Sequence, residues 1–177
     1  MSISIHDLAT GTFVPKLRTL SALLEKAAEH ASAKSIDLAA IVQGRLAPDM
    51  YTLRQQVQLA CFQAEDAAAR LAGQDGGTPE EIGDAFADLA SRIETTLKLL
   101  EGMPASAFDG AEDRTIIIPV PGGEMVFEMT GYQFLRDWAL PHFYFHLVTA
   151  YDILRNLGVE IGKRDYMRSV GGYLRRR

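Results

Sequence analysis

The chain has 177 residues, 47% hydrophobic, 23% charged and 8% aromatic, with a formal net charge of -5 and one cysteine. That length fits one compact domain able to bury roughly 70% of the surface its unfolded form exposes. Cys61 has no second cysteine to bridge, which excludes a disulfide-framed secreted protein and points to the cytoplasm. No apolar run approaches the ~20 residues of a membrane span, and Met1–Thr10, with no basic start and no long apolar core, is not expected to be a signal peptide.

Four stretches carry helical periodicity. In the first, Phe13, Leu17, Leu20, Leu24, Ala27 and Ala31 recur at steps of three and four, with Thr12 as cap and Pro15 in the opening turn. His6 falls in the leader before it, and His30 at its end, beside the helix terminus. The second runs through Met50, Leu53, Val57, Ala60, Ala64, Ala67 and Leu71, from an Asp49 cap to Gly73. The third opens at Thr78-Pro79-Glu80-Glu81, a cap with proline and acids in the first turn. It continues through Ile82, Phe86, Leu89, Ile93, Leu97 and Leu100 until Gly102 and Pro104.

From Arg114 to Met129 the pattern changes to two β-prone runs around Pro121-Gly122-Gly123, which reads as a hairpin. Pro119 makes it an edge ribbon. The fourth helix spans Tyr132 to Leu157. Pro141 cannot bond to the carbonyl of Asp137, so a kink is expected beside His142. The fold class is therefore all-α, a four-helix bundle with a short β-hairpin between helices three and four. One domain is expected over 1–166, followed by a basic, flexible tail over 167–177. From Glu160 onward Lys163, Arg164, Arg168, Arg175, Arg176 and Arg177 outnumber two acids, and Gly171 and Gly172 make this a solvated end rather than a nucleic-acid face.

His142 and His146 stand four apart, so both rings project from one helix face, with Cβ atoms about 6 Å apart. Two neutral imidazoles can share a metal when another helix supplies a third ligand and a position stays open. Without Glu after the first histidine, the metalloprotease pattern fails. The other reading makes them core or interface histidines within His142-Phe-Tyr-Phe-His146, each answered by one hydrogen bond. Cys61 reads as a small buried residue. Asp137 and Asp152 can reach a histidine or form surface pairs, and Tyr144 and Tyr151 can donate to a substrate or fill the core. Arg155 and Lys163-Arg164 suit an anion or the helix dipole. There is no phosphate loop, Cys-x-x-Cys pair or nucleophile elbow.

The segment His146-Leu-Val-Thr-Ala-Tyr-Asp-Ile-Leu-Arg-Asn-Leu-Gly158, with a second histidine one turn earlier, resembles the last helix of the DinB/YfiT-like superfamily. Leu46-Ala-Pro-Asp-Met50, Gln56-Val-Gln58, Gly110-Ala-Glu-Asp113, Leu140-Pro-His-Phe-Tyr-Phe-His146 and Gly158-Val-Glu-Ile-Gly-Lys-Arg-Asp165 resemble a bacterial and fungal domain-of-unknown-function family in that clan, over nearly the full length. The resemblance implies an up-down-down-up bundle, a homodimer, and a metal site of three histidines near one end. Its characterised relatives are metal-dependent transferases or isomerases that use low-molecular-weight thiols.

Two of those histidines map onto His142 and His146. The third belongs on the second helix, which has none; Gln55, Gln56 and Gln58 stand nearby, and the offset from Gly73 selects Gln58 as third ligand. A glutamine carbonyl is a weaker ligand than imidazole, so Gln58 either completes a zinc, nickel or manganese shell or hydrogen-bonds a histidine ring. Gln56, Trp138 and Tyr144 are the expected ligand-lining residues. Two functions follow. One is a metal-dependent enzyme, a thiol-dependent transferase or hydrolase acting on a small molecule. The other is a metal-free bundle serving as a small-ligand binder or dimeric interaction module. Neither takes nucleic acid or a membrane as partner.

Overall fold

The computed structural model describes residues 3–120 and 122–176; Met1, Ser2, Pro121 and Arg177, which enter the leader, turn and tail readings above, lie outside the described residues. The first helix, α1 (Ile5–Lys34), is capped eight residues before the expected Thr12, by Ser4, which accepts from the Asp7 amide at 3.0 Å. Its apolar face extends backward in steps of four from Phe13 through Ala9 to Ile5, all buried. His6 is therefore a helical residue, and Pro15 lies inside the helix.

A short helix that the periodicity did not predict, α2 (Leu38–Val42), follows, capped by Asp37. Helix α3 (Leu53–Leu71) starts at Thr52 rather than Asp49. The reason is a reciprocal cap: Thr52 Oγ1 accepts from the Gln55 amide, and Gln55 Oε1 accepts from the Thr52 amide at 3.0 Å. Every residue of α3 is buried or half-buried, which makes it the central element of the fold.

After Gly73, at φ +79, the chain does not re-enter a helix at Thr78. It runs back along α3: Asp66 accepts from the Gly77 amide at 3.1 Å, Gln58 donates to the Glu80 carbonyl at 2.8 Å, and Arg54 donates to the Ile82 carbonyl at 2.7 Å. Glu80 and Glu81 are not helix-opening acids. Their carboxylates face Arg92 at 3.6 Å and Arg54 at 3.3 Å. Helix α4 (Phe86–Gly102) begins only where Asp88 accepts from the Ala85 amide at 3.0 Å. The returning strap brings its start back near the start of α3, so the two helices run side by side in the same direction. Arg92 and Thr96 reach Glu65, and Leu99 and Met103 share a groove with Phe62 and Ala69.

A two-stranded antiparallel ribbon follows, β1 (Thr115–Pro119) with β2 (Val126–Thr130), in which Thr115 pairs with Thr130 and Pro119 with Val126. Pro119 closes an edge strand, as its missing N–H requires. Thr130 caps the single turn α5 (Gly131–Gln133), and a π-helical stretch over Phe134–Ala139 leads into α6 (Leu140–Asn156). The Leu140 amide bonds to the Leu135 carbonyl, five residues back. The disturbance expected at Pro141 thus takes the form of a widened turn before it, which seats the proline in the opening turn of a new α-helical register.

The four long helices share one core. Helix α3 packs on α6 and α4, and α1 packs on α4, α3 and α6; Phe13 of α1 and Phe143 of α6 meet edge to face at 4.9 Å. Helix α7 (Lys163–Tyr166) is tied to α1 by Lys26 and Asp165, 2.6 Å apart. The tail from Arg168 to Tyr173 forms a 3-10 turn, and every described residue from Arg168 onward is exposed. Among the described residues no helix is long and apolar enough to cross a membrane.

Candidate functional site

The histidine pair sits in the first two turns of α6, where α6 meets α3 and directly follows the π-turn. His146 is buried and His142 half-buried. Gln56 of α3, 1% exposed, puts Oε1 at 2.8 Å from His146 Nδ1, and its own amide nitrogen faces the Tyr51 carbonyl at 3.5 Å. A carbonyl oxygen only accepts, so His146 carries its proton on Nδ1 and keeps the Nε2 lone pair free. Burial lowers the His146 pKa to about 4, and the neighbouring His142 adds to the shift. The ring is therefore neutral near pH 7.

His142 Nδ1 is buried without a hydrogen-bond partner among the described residues. A buried polar nitrogen left unanswered costs about 1–3 kcal/mol. The indole of Trp138 meets the His142 ring edge to face at 4.6 Å, and Phe127 of β2 lies 5.1 Å from Trp138. The ribbon thus reaches over the approach to His142. Phe145 flanks His146 at 5.3 Å.

The expected site residues divide into two groups. Gln56 and Trp138 join the histidines; Gln58 and Tyr144 do not. Two residues of helix correspond to a rotation of about 200°, so Gln58 stands on the opposite flank of α3 from Gln56, where it holds the strap at Glu80. Gln56 takes the place expected of Gln58. Tyr144 is likewise turned away from His142 and sits near Tyr166, which packs against Tyr151 at 5.9 Å and lies under Lys16 Nζ at 4.2 Å. Burial raises the Tyr144 and Tyr166 phenols and lowers the Lys16 ammonium.

Three of the remaining candidates have structural partners. Asp137 pairs with Arg136, Arg155 donates to the Val159 carbonyl at 3.4 Å, and His6 lies edge-on to Phe108. Cys61 is buried and its thiol is pushed up to about 12, which removes it as a nucleophile. Phe127 and Phe145 were not singled out by periodicity; their only sequence signal is a large aromatic at an outward-facing position, and both are about half exposed.

The donor set does not fit the three-ligand metal site that the resemblance implies. Two imidazoles remain, and the only polar side chain α3 offers His146 is an amide oxygen occupied by its Nδ1–H. Among the described residues no group of three or more His, Cys, Asp or Glu side chains could hold a metal ion. Two grooves lie elsewhere, one of about 890 Å³ between α1 and the tail and another of about 390 Å³ between α3, α4 and the strap.

A family described as a domain of unknown function (DUF1993) matches residues 5–167. The crystal structure of a DinB family member protein from Shewanella denitrificans is similar at 39% identity, covering 92% of this chain and 91% of that chain, with a TM-score of 0.82. No curated protein matches.

Proposed function

The chain belongs to the DUF1993 family, with a DinB-like fold, and on that premise we propose that it is a small-molecule-binding four-helix bundle in up-down-down-up order, whose His142–His146 site works without a resident metal. The bundle order is supported by the strap that returns along α3 and sets α4 beside it in the same direction.

One observation carries the metal-free reading: the α3 side chain that meets the pair, Gln56, has its Oε1 taken up by His146 Nδ1 at 2.8 Å, which leaves two imidazoles without a third ligand among the described residues. Where a third metal-binding imidazole is expected, the chain has a neutral acceptor that fixes one tautomer. That tautomer leaves Nε2 as a free lone pair, suited to accept a hydrogen bond or a proton from a bound molecule. In this reading Gln56 is a positioning residue, and Trp138 and Phe127 shape the approach. The same proposal places the protein in the cytoplasm as a homodimer, with Phe145 and Val148 as the exposed apolar side chains of α6. Light scattering after size exclusion checks the dimer.

Elemental analysis of the tag-free protein tests the site. The wild type and the His142→Ala and His146→Ala variants are incubated with zinc, nickel and manganese, then desalted. Metal well below one equivalent in all three is expected. Near-stoichiometric metal in the wild type that disappears in both variants would sink this reading and restore the metal-dependent enzyme.

A further inference from the structure

We propose that the exposed C-terminal tail docks into the groove between α3, α4 and the strap of a second copy of this chain, with Tyr173 and Leu174 on its apolar floor and the tail's arginines at its acidic rim. The inference rests on the homodimer of the preceding reading, to which it gives a contact, and is independent of the histidine site.

The tail presents apolar side chains instead of hiding them. Val170, Tyr173 and Leu174 are 47%, 81% and 82% exposed, and their spacing of three and four puts them on one face of a helical turn. They line an open groove beside Ala22 and Leu23 of α1 without being buried in it. The segment just before them is fixed. Lys26 holds Asp165 at 2.6 Å, and Lys16 Nζ donates to the Tyr166 carbonyl at 3.3 Å. A tail pinned at its base and uncovered at its tip is placed to meet another molecule.

The complement is the groove of about 390 Å³ between α3, α4 and the strap. Phe62 of α3 and Leu99 and Met103 of α4 give it an apolar floor, and Leu99 is 46% exposed. Its size is that of a small-ligand pocket, roughly 300–1,000 Å³, which suits a few anchoring side chains better than a broad flat partner.

Charge selects the occupant. Glu65, Asp66 and Asp75 line this groove, and no lysine or arginine is among its lining residues. Arg92 and Arg70 answer the first two, while Asp75 has no ion pair among the described residues. From Arg54 to Arg92 the chain holds seven acids and three arginines; from Arg168 to Arg177 it holds four arginines and no acid. A surplus of four negative charges thus faces a surplus of four positive ones, and their attraction steers the tail to this face. An anionic lipid surface is the poorer match, because the chain carries a net charge of -5 even with those arginines counted. Each copy has one tail and one groove, so a two-fold exchange makes the contact twice and closes the pair.

Sedimentation velocity of the full-length protein over a series of concentrations reads the association. A dimer dissociating in the micromolar range is expected, as for a small interface, and raising the salt to about 1 M should weaken it about tenfold. Tyr173→Ser with Leu174→Ser on the tail, and Leu99→Lys in the groove, should each weaken association by at least about tenfold. These side chains are exposed, so circular dichroism should show the fold unchanged. A fluorescein-labelled peptide of residues 167–177 gives the direct readout by anisotropy. It should bind the full-length Tyr173→Ser, Leu174→Ser protein, and bind about tenfold more weakly once Leu99→Lys or Asp75→Lys is added.

A dimer indifferent to both the tail and the groove changes would overturn the proposal and leave α6, with Phe145 and Val148, as the contact. A monomer at every concentration whose groove still binds the peptide would overturn the second copy and return the tail to its own groove. Failure of the peptide to bind would remove the groove as the docking site. Tail-dependent sedimentation with vesicles of phosphatidylcholine and phosphatidylserine, without self-association, would give the tail to a membrane surface instead. A tail-independent dimer sinks only this inference, whereas a monomer sinks the homodimer as well, so the two failures are told apart.

Discussion

Gln56 and His146, ninety residues apart in the chain, meet across the α3–α6 contact with 2.8 Å between amide oxygen and ring nitrogen. The bond ties the central helix to the helix that carries both histidines. Gln56→Leu removes the acceptor and buries an unanswered Nδ1–H, an expected loss of about 1–3 kcal/mol. Gln56→Glu keeps an acceptor but adds a charge that favours the imidazolium, so the His146 pKa should rise from about 4. Urea unfolding and an NMR pH titration read the two effects. A Gln56→Leu protein within about 0.5 kcal/mol of wild type, the range of an ordinary surface change, would show that the contact holds nothing.

The same histidine predicts a pH dependence of stability. Its folded pKa, about 4, lies below the ordinary value of 6.5 that it regains on unfolding. Above 6.5 both states hold the ring neutral and nothing is lost. Between 6.5 and about 4 the unfolded chain takes up a proton that the folded chain refuses, so stability falls as pH falls, by roughly 3 kcal/mol in total. Urea midpoints at several pH values across that window, with His146→Ala as reference, check it. If wild type and variant change in parallel, the loss belongs to other groups.

How far the sequence was legible follows from what each residue answers to. The apolar faces of α1, α3, α4 and α6 could be read because burial in a shared core demands a 3.6-residue period whatever the partners are. The starts of α1, α3 and α4 were displaced because caps depend on single side chains. Thr78-Pro79-Glu80-Glu81 has the composition of a helix opening, yet its acids answer Arg92 and Arg54 across the fold. The choice of Gln58 over Gln56 failed for a related reason. An error of two residues leaves a glutamine in place but turns it to the other flank, and only the partners, Glu80 for one and His146 for the other, tell them apart.

Arg92 and Glu65 form the most deeply placed ion pair that joins α4 to α3. Arg92 is 7% exposed, its Nη2 lies 2.5 Å from Glu65 Oε2, and Thr96 donates to the other carboxylate oxygen at 2.6 Å. Removing Arg92 leaves the half-buried Glu65 carboxylate, 18% exposed, with Thr96 as its remaining partner, so Arg92→Ala should cost about 1.5–3 kcal/mol. The double variant Arg92→Met, Glu65→Gln removes both charges and should lose clearly less than the sum of the single changes. Additive losses in a denaturant double-mutant cycle would mean that the pair does not couple the helices.

Gly131 and Gly11 are both helical, and the packing around them predicts opposite responses to alanine. At Gly131 a Cβ would fall 1.8 Å from the backbone oxygen of Ala111, which no side-chain rotation can relieve. The approach is held by the Tyr132 amide bonding to the Glu112 carbonyl at 3.0 Å, and it closes the base of the ribbon that carries Phe127. Gly131→Ala should therefore cost about 1–3 kcal/mol, the usual penalty of overpacking, and should alter Trp138 fluorescence as Phe127 shifts. At Gly11 a Cβ meets nothing within 4 Å, so Gly11→Ala should gain about 0.5–1 kcal/mol through the lower entropy of the unfolded chain. Thermal melts of the two variants, read by circular dichroism and by tryptophan emission, separate the cases. Equal stability of Gly131→Ala and wild type would mean that the ribbon's base yields freely, and Phe127 would then have no fixed position over Trp138.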